Sequence, residues 1–241
     1  MKTICVIPAR YKSSRFPGKP LADIKGKPMI WWVYNQAKKA EGLDGIYIAT
    51  DDDRIKNKCE ELNMDVVMTS EDHETGTDRV GEVAKKIDAD FIINVQGDEP
   101  LVEPENISLV VEELINNDLQ VVNLMTQISN PVDVVNTTVP KVITNKEGFG
   151  VYLTRSQSPY PKKSLDFNYF KQVCVYGFTK KALDKFCESP RGKIEKIEDI
   201  EILRFIENGI KVKFIEVDSS TIAVDTPKDL EKVRDYVKNK K

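Results

Sequence analysis

Arg10, Lys12, Arg15 and Lys19 fall within ten residues of one another in the stretch Pro8-Ala9-Arg10-Tyr11-Lys12-Ser13-Ser14-Arg15-Phe16-Pro17-Gly18-Lys19-Pro20. Four cations so close repel unless an anion lies between them. With two serines and one glycine, the loop has the composition of a polyphosphate cradle; the plainer alternative is a solvated basic loop. It is not a Walker loop, which needs GxxxxGK[ST], because Gly18-Lys19 runs into Pro20 and position 13 is serine. The dinucleotide pattern GxGxxG is absent, so neither an ordinary P-loop nucleotidase nor a nicotinamide enzyme is indicated.

Carboxylates supply the second kind of chemistry. The apolar run Ile92-Ile93-Asn94-Val95 ends in Gln96-Gly97-Asp98-Glu99-Pro100. A hard cation such as Mg²⁺ takes oxygen ligands, commonly one or two carboxylates completed by substrate phosphates, which makes Asp98 the first metal candidate. Alone, a Gly-Asp turn after a strand is equally just a turn. The second apolar run Ile222-Ala223-Val224, read as a short strand, again delivers an aspartate, Asp225. Whether the two carboxylates meet is a tertiary matter. The loop Ser70 to Arg79, SEDHETGTDR, is rich in side chains that bond their own backbone; Thr77-Asp78 suits a helix start, and the single histidine, His73, suits an exposed hydrogen-bonding role better than that of a base. Glu195, Glu198, Glu201 and Arg204 are spaced as an ion-pair ladder on one helix over 194–208.

Positioning such residues needs an α/β framework. Short β-branched runs at 4–7, 45–50, 65–69, 91–95, 121–128, 149–154, 170–178 and 211–217 predict strands. Helical stretches run Met29 to Ala40, Asp52 to Leu62, Thr77 to Ile87, Pro104 to Asn116, 194–208 and 227–238. Strand alternating with helix implies a mainly parallel, Rossmann-like sheet covered on both faces. Strand follows strand over about 120–178, an inserted antiparallel region. The 241 residues carry 40% hydrophobic and 31% charged side chains, which suits a single domain over 1–241 with a sizeable core. Ligands of open sheets bind beyond the carboxyl ends of the strands, where Arg10–Lys19, Thr50–Asp52 and Gln96–Glu99 all lie. A net charge of −3 gives no bulk basic excess for nucleic acid. No apolar run approaches a membrane span, so a cytoplasmic protein is expected. Four scattered cysteines and one histidine fit no zinc spacing and read as reduced packing residues.

Five stretches, IPARYKSSRFPGKPLADIKGKPMI (7–30), ATDDDRI (49–55), MTSEDHETGTDR (68–79), NVQGDEPLVEP (94–104) and VDTPKDLEKVR (224–234), resemble in order the bacterial 3-deoxy-manno-octulosonate (Kdo) cytidylyltransferases. The resemblance implies a nucleotidyltransferase sheet with an inserted dimerisation arm, a homodimer, and Mg²⁺-dependent transfer of CMP from CTP to an acidic sugar with release of pyrophosphate. It assigns Pro8, Ala9, Arg10, Ser13, Arg15, Lys19, Arg79 and Gln96 to the nucleotide. Asp98 and Asp225 become metal ligands, and with Arg10 and Lys19 they form the catalytic set. Arg155, Gln172, Tyr176, Glu201, Ile202 and Arg204 fall in the sugar-binding half.

Two departures lie in that half: Gln172 where the family usually has His, and Ile202 where it usually has Gln. A pocket with these replacements offers fewer polar partners. The expectation is a preference for a sugar differing from Kdo in the group that reaches this helix, with 8-amino-Kdo or a nonulosonate as the nearest alternatives. A nucleotide-binding protein without turnover is the rival of another class; intact Lys19, Asp98 and Asp225 argue against it.

Overall fold

Every residue of Thr3–Pro8 (β1) is buried, and this strand lies inside the main sheet of the computed structural model, which describes residues 1–13, 16–163, 167–218 and 221–239. A short hairpin, β2 (Asp23–Ile24) and β3 (Lys27–Pro28), leads into α1 (Met29–Ala37). Then β4 (Gly45–Thr50), α2 (Asp53–Glu61), β5 (Val66–Met68), α3 (Gly76–Lys86), β6 (Phe91–Val95) and α4 (Pro104–Asn116) alternate as expected. Asp52 caps α2 by accepting from the Arg54 N–H, and Thr75 caps α3 by accepting from the Asp78 N–H.

Beyond α4 come β7 (Val121–Gln127), α5 (Pro131–Val135), β8 (Lys141–Thr144), β9 (Gly150–Thr154) and β10 (Phe170–Thr179). The sheet order is β11-β7-β10-β6-β1-β4-β5, where β11 is Lys213–Glu216. The pairs β1–β4, β1–β6, β4–β5 and β11–β7 are parallel, whereas β10 runs antiparallel to β6, β7 and β8, and β8 to β9. The antiparallel region is thus not a separate insertion: β7 and β10 are integral to the main sheet, and only α5, β8 and β9 lie between them in the chain, in the segment expected as the arm. Lys141 fastens the arm's base; it is fully buried, and its ammonium donates to the carbonyls of Asn136 and Arg155 at 2.9 and 2.6 Å.

Three more helices lie at the end of the chain besides α9 (Pro227–Asn239): α6 (Lys180–Glu188), α7 (Lys193–Glu198) and α8 (Leu203–Glu207). The single helix expected over 194–208 is broken, because Asp199 adopts a left-handed conformation with φ 51°. Helix α6 was not anticipated, although Ala182, Leu183 and Phe186 have helical spacing and are buried. One face of the sheet packs against α3, α6 and α8 through Val80, Val83, Leu183, Phe186, Leu203 and Phe205; the other holds α1, α2 and α4 through Ile30, Val33, Ile55, Ile107 and Val110. Helix α9 covers α1 and the hairpin through Leu230, Val233 and Val237, with Val224 just before it in the same cluster. None of the cysteines is in a disulfide, and Cys5 and Cys59 are buried packing residues. No helix of the described residues is long and apolar enough to cross a membrane.

Candidate active site

The carboxyl ends of β1 and β6 open into a cleft of about 250 Å³. The two strand ends approach so closely that a Cβ on Gly97 would lie 2.6 Å from the Pro8 carbonyl oxygen, so only glycine fits there. Gly18 turns the basic loop back with φ 71°, and its N–H donates to the Tyr11 carbonyl at 2.9 Å. The Arg54 guanidinium stacks on the Tyr11 ring at 3.2 Å and holds the loop's outer side. Pro8, Ala9, Arg10, Ser13 and Lys19 thereby line one wall, with Arg10 exposed and Lys19 half-buried. Arg15, expected beside them, lies outside the described residues.

Lys19 joins the two halves of the proposed metal site. Its Nζ donates to Asp98 Oδ2 at 2.8 Å and to the Val224 carbonyl at 2.8 Å, and stands 3.9 Å from Asp225 Oδ1. Asp98 and Asp225, 127 residues apart in sequence, therefore converge on one cation. Residues 222–224 are not a strand as expected; a single backbone bond, from the Val224 N–H to the Asp98 carbonyl at 2.9 Å, brings Asp225 into place. Among the described residues no three His, Cys, Asp or Glu side chains form a metal cage. Two carboxylates facing one positive charge fit Mg²⁺ that completes its shell with water and phosphate.

Glu99 is buried immediately behind Asp98. Its Oε2 has no hydrogen-bond partner, and burial, with the Asp98 charge adding, pushes its carboxyl up to about 8. In the sequence the only signal of this is the adjacency of two carboxylates. Cys174, taken for a packing residue, also faces these groups: burial raises its thiol well above the ordinary range, with Glu99 and Asp98 reinforcing the shift.

The loop 70–79 forms the opposite wall. Arg79 lines the cleft but is itself buried, donating to Asp51 at 2.9 Å, to the Ser70 carbonyl and to Thr69. Asp51, the polar residue at the end of β4, thus backs the cleft rather than lining it. His73 lies 2.5 Å from Glu82 Oε2, as suits a hydrogen-bonding residue. Burial works against the Glu82 charge, but Lys86, the Ser70 N–H and His73 outweigh it and bring its carboxyl down to about 2.

The residues assigned to the sugar are distributed differently from expectation. Glu201 does line the cleft, where it accepts from the Gly76 and Thr77 N–H groups at 3.0 and 2.9 Å and from the Thr77 hydroxyl at 2.6 Å, closing the N-terminus of α3. Ile202 does not: it is 2% exposed and packs in the core with Leu203 and Phe205, because the break at Asp199 turns it inward. Arg204 is likewise removed from the cleft. Its guanidinium bonds Asp78 at 2.8 Å and Glu195 at 2.8 Å, so it bridges α3 and α7 over nine residues rather than forming the expected i,i+3 ladder. Burial opposes the Arg204 charge, yet the bonds from Glu195 and Asp78 raise its pKa further. Arg155 is spent on the arm, with its three guanidinium nitrogens directed at the carbonyls of Glu198, Asp199 and Thr137. Tyr176 and Gln172 stand half-buried on β10; burial, followed by the charges of Cys174 and Glu201, raises the Tyr176 hydroxyl well above its usual range.

A sheet of this topology, ending in a cation-lined cleft with two convergent carboxylates, defines a nucleotidyltransferase. Comparison makes the class specific. A profile of the cytidylyltransferase family matches residues 4–214. A 3-deoxy-manno-octulosonate cytidylyltransferase of Fusobacterium nucleatum is 41% identical over 99% of this chain and 98% of its own length. An 8-amino-3,8-dideoxy-manno-octulosonate cytidylyltransferase of a Shewanella species is also 41% identical, over 96% and 97%. The solved structure of a CMP:2-keto-3-deoxy-manno-octonic acid synthetase complexed with CTP superposes with a TM-score of 0.94 at 37% identity, covering all of both chains. The chain belongs to the cytidylyltransferase family, alongside the 3-deoxy-manno-octulosonate cytidylyltransferases.

Proposed function

We propose that the protein transfers CMP from CTP to the anomeric hydroxyl of an acidic sugar, Kdo or a close variant, and releases pyrophosphate. The observation that carries this reading is the convergence of Lys19, Asp98 and Asp225 at the mouth of the β1–β6 cleft. The similarity to a CTP-bound synthetase over the whole chain supports it. In this reading Pro8 and Ala9 line the nucleotide pocket, Gln96 lies at its floor, and Arg10, Ser13, Arg15 and Lys19 receive the phosphates. Arg79 acts from behind the wall by holding the loop 70–79. Asp98 and Asp225 would hold Mg²⁺, which when bound neutralises phosphate charge and acidifies a coordinated hydroxyl.

The sugar hydroxyl attacks the α-phosphorus in line. The new O–P bond forms as the bond to the β-phosphate oxygen breaks, the hydroxyl passes its proton to solvent water, and the electron pair leaves with pyrophosphate. Arg10 and Lys19 stabilise the charge that accumulates on the leaving group. In CTP complexes Lys19 would leave the aspartates for the phosphates, since a full positive charge between two carboxylates is replaced there by the ion. Exposed Val132, Val135, Val151 and Tyr160 on the arm support its use as a dimer contact, and the protein is expected to work in the cytoplasm.

Pyrophosphate release measured with CTP, Mg²⁺ and a panel of acidic sugars tests the reading. Turnover with Kdo or its 8-amino analogue supports it. CTP binding without pyrophosphate release in the presence of any sugar of the panel would instead indicate a nucleotide-binding protein.

A further inference from the structure

Asn123 lies in the middle of β7 and is fully buried. Its amide nitrogen donates to two carbonyls of β10, Val173 at 2.9 Å and Val175 at 2.8 Å. Between them β10 bulges: Val173 stands opposite Leu124, whereas Tyr176 stands opposite Asn123. Both amide hydrogens of Asn123 are thereby committed to groups that can only accept. Chemistry, not coordinates, then fixes the amide's orientation, and its Oδ1 must face Gln172. Gln172 can meet that oxygen only by donating, which it does through Nε2 at 2.7 Å. Its Oε1 makes no hydrogen bond among the described residues.

Strand β10 runs antiparallel to β6 with Val175 opposite Val95, and the Gln96 N–H donates to the Cys174 carbonyl. Gln172 lies two residues beyond that bond, so β10 carries it past the carboxyl end of β6, the end that opens into the cleft. Gln172 pairs with Met125, Tyr176 with both Asn123 and Asn94, so all these side chains share one face of the sheet. It is the face that carries α3 and α8, between which Gly76 and Glu201 wall the cleft. A second observation marks the same face as built for a polar ligand: Asn94 is fully buried, yet neither its amide oxygen nor its nitrogen has a partner.

We propose that Asn123 is a positioning residue that presents the Gln172 carbonyl to the sugar as an acceptor, so that the site selects an acidic sugar carrying a hydrogen-bond donor, hydroxyl or ammonium, against β10. The proposal rests on the sugar-transfer reading above and names the acceptor's chemistry more closely. A site built to bond a donor rejects an analogue that cannot supply one by a factor far larger than a methylene difference would give.

The test is kcat/KM for Kdo and for its mono-O-methyl and mono-amino analogues, one position at a time, with CTP and Mg²⁺, in the unmodified protein, Gln172→Leu and Asn123→Thr. In the unmodified protein one position is expected where methylation costs tenfold or more while the amino analogue is accepted; preference for the amine over the hydroxyl assigns the donor as an ammonium. In Gln172→Leu that penalty should shrink to about threefold or less, with the sugar KM raised and the CTP KM within twofold. Asn123→Thr should act in the same direction through a free-turning Gln172, and if it fails to fold, Gln172→Leu decides alone. Equal methylation penalties in the unmodified protein and Gln172→Leu would overturn the inference while leaving the transfer reading intact. No turnover of any octulosonate by the unmodified protein would remove the reading on which it rests.

Discussion

Lys19, Asp98 and Asp225 hold one another at the mouth of the cleft, so each substitution there has both a chemical and a structural effect. Asp98→Asn and Asp225→Asn are expected to lower turnover by at least about a hundredfold, because a neutral amide neither offsets phosphate charge nor binds a hard cation well. Loss of the half-buried pair with Lys19 should cost only about 1 kcal/mol of stability, so steady-state rates and thermal melts separate the two effects. Near-normal turnover at saturating Mg²⁺ in either variant would refute the metal assignment. Glu99 gives a pH signature. Its carboxyl titrates at about 8 when folded, against the ordinary carboxylate value of about 4.3 when unfolded. The folded protein therefore keeps a proton that the unfolded chain loses, and stability falls as pH rises between those values, by up to about 1.4 kcal/mol per pH unit. Urea titrations of the metal-free protein from pH 5 to 8 should show a flatter slope in Glu99→Gln; an unchanged slope would place the proton elsewhere.

At the scale of elements, the wall facing the basic loop depends on Arg204. Helices α3, α7 and α8 meet at its guanidinium, and its partner Glu195 is fully buried. Removing one member of such a buried set leaves an uncompensated charge and typically costs about 3–5 kcal/mol. Arg204→Met should therefore lower the melting temperature by many degrees. Arg191 also reaches Glu195, at 3.1 Å, but is 20% exposed and shares itself with Asp199 and Glu74. Arg191→Met should cost about 1 kcal/mol or less, and comparable losses in the two variants would mean that Arg204 is no special brace. For the same reason of packing, Ile202→Gln is not expected to improve the use of Kdo: a polar amide in the core beside Leu203 and Phe205 would be desolvated without touching the sugar.

For the molecule as a whole, the arm leaves Val132, Val135 and Val151 between 56% and 66% exposed and Tyr160 80% exposed. Exposed apolar side chains on one segment suit contact with another surface. If the arm joins two copies, Val132→Asp with Val135→Asp should halve the mass seen by light scattering while CTP affinity stays within about twofold. An unchanged mass would exclude the arm as the contact. The same segment shows how far the chain's organisation was readable. The alternation of strand and helix up to residue 116, the antiparallel change of pattern after 120 and the positions of every strand but β2, β3 and β8 follow from hydrophobic periodicity, whereas the strand expected at 222–224 does not form. Insertion of β10 between β6 and β7, which puts two antiparallel pairings into an otherwise parallel order of strands, has no such local signal.

Composition and spacing alone determined the basic loop after β1, the carboxylates after β6 and before α9, and the absence of any Walker or dinucleotide pattern, because these depend on residue type and nearest neighbours. Tertiary structure decided which of the distant residues meet. Asp225 reaches Asp98 through one backbone bond from Val224, not through a strand. Ile202 and Arg204 stand at positions that the resemblance assigns to the sugar, but the left-handed turn at Asp199 points one into the core and gives the other to Asp78 and Glu195. Asn123 looks in sequence like an ordinary polar residue of a strand; only the slipped register of β10 gives its amide two carbonyls and Gln172 to orient. Burial, register and the direction of a side chain are set by contacts across tens of residues, and no local pattern of types encodes them.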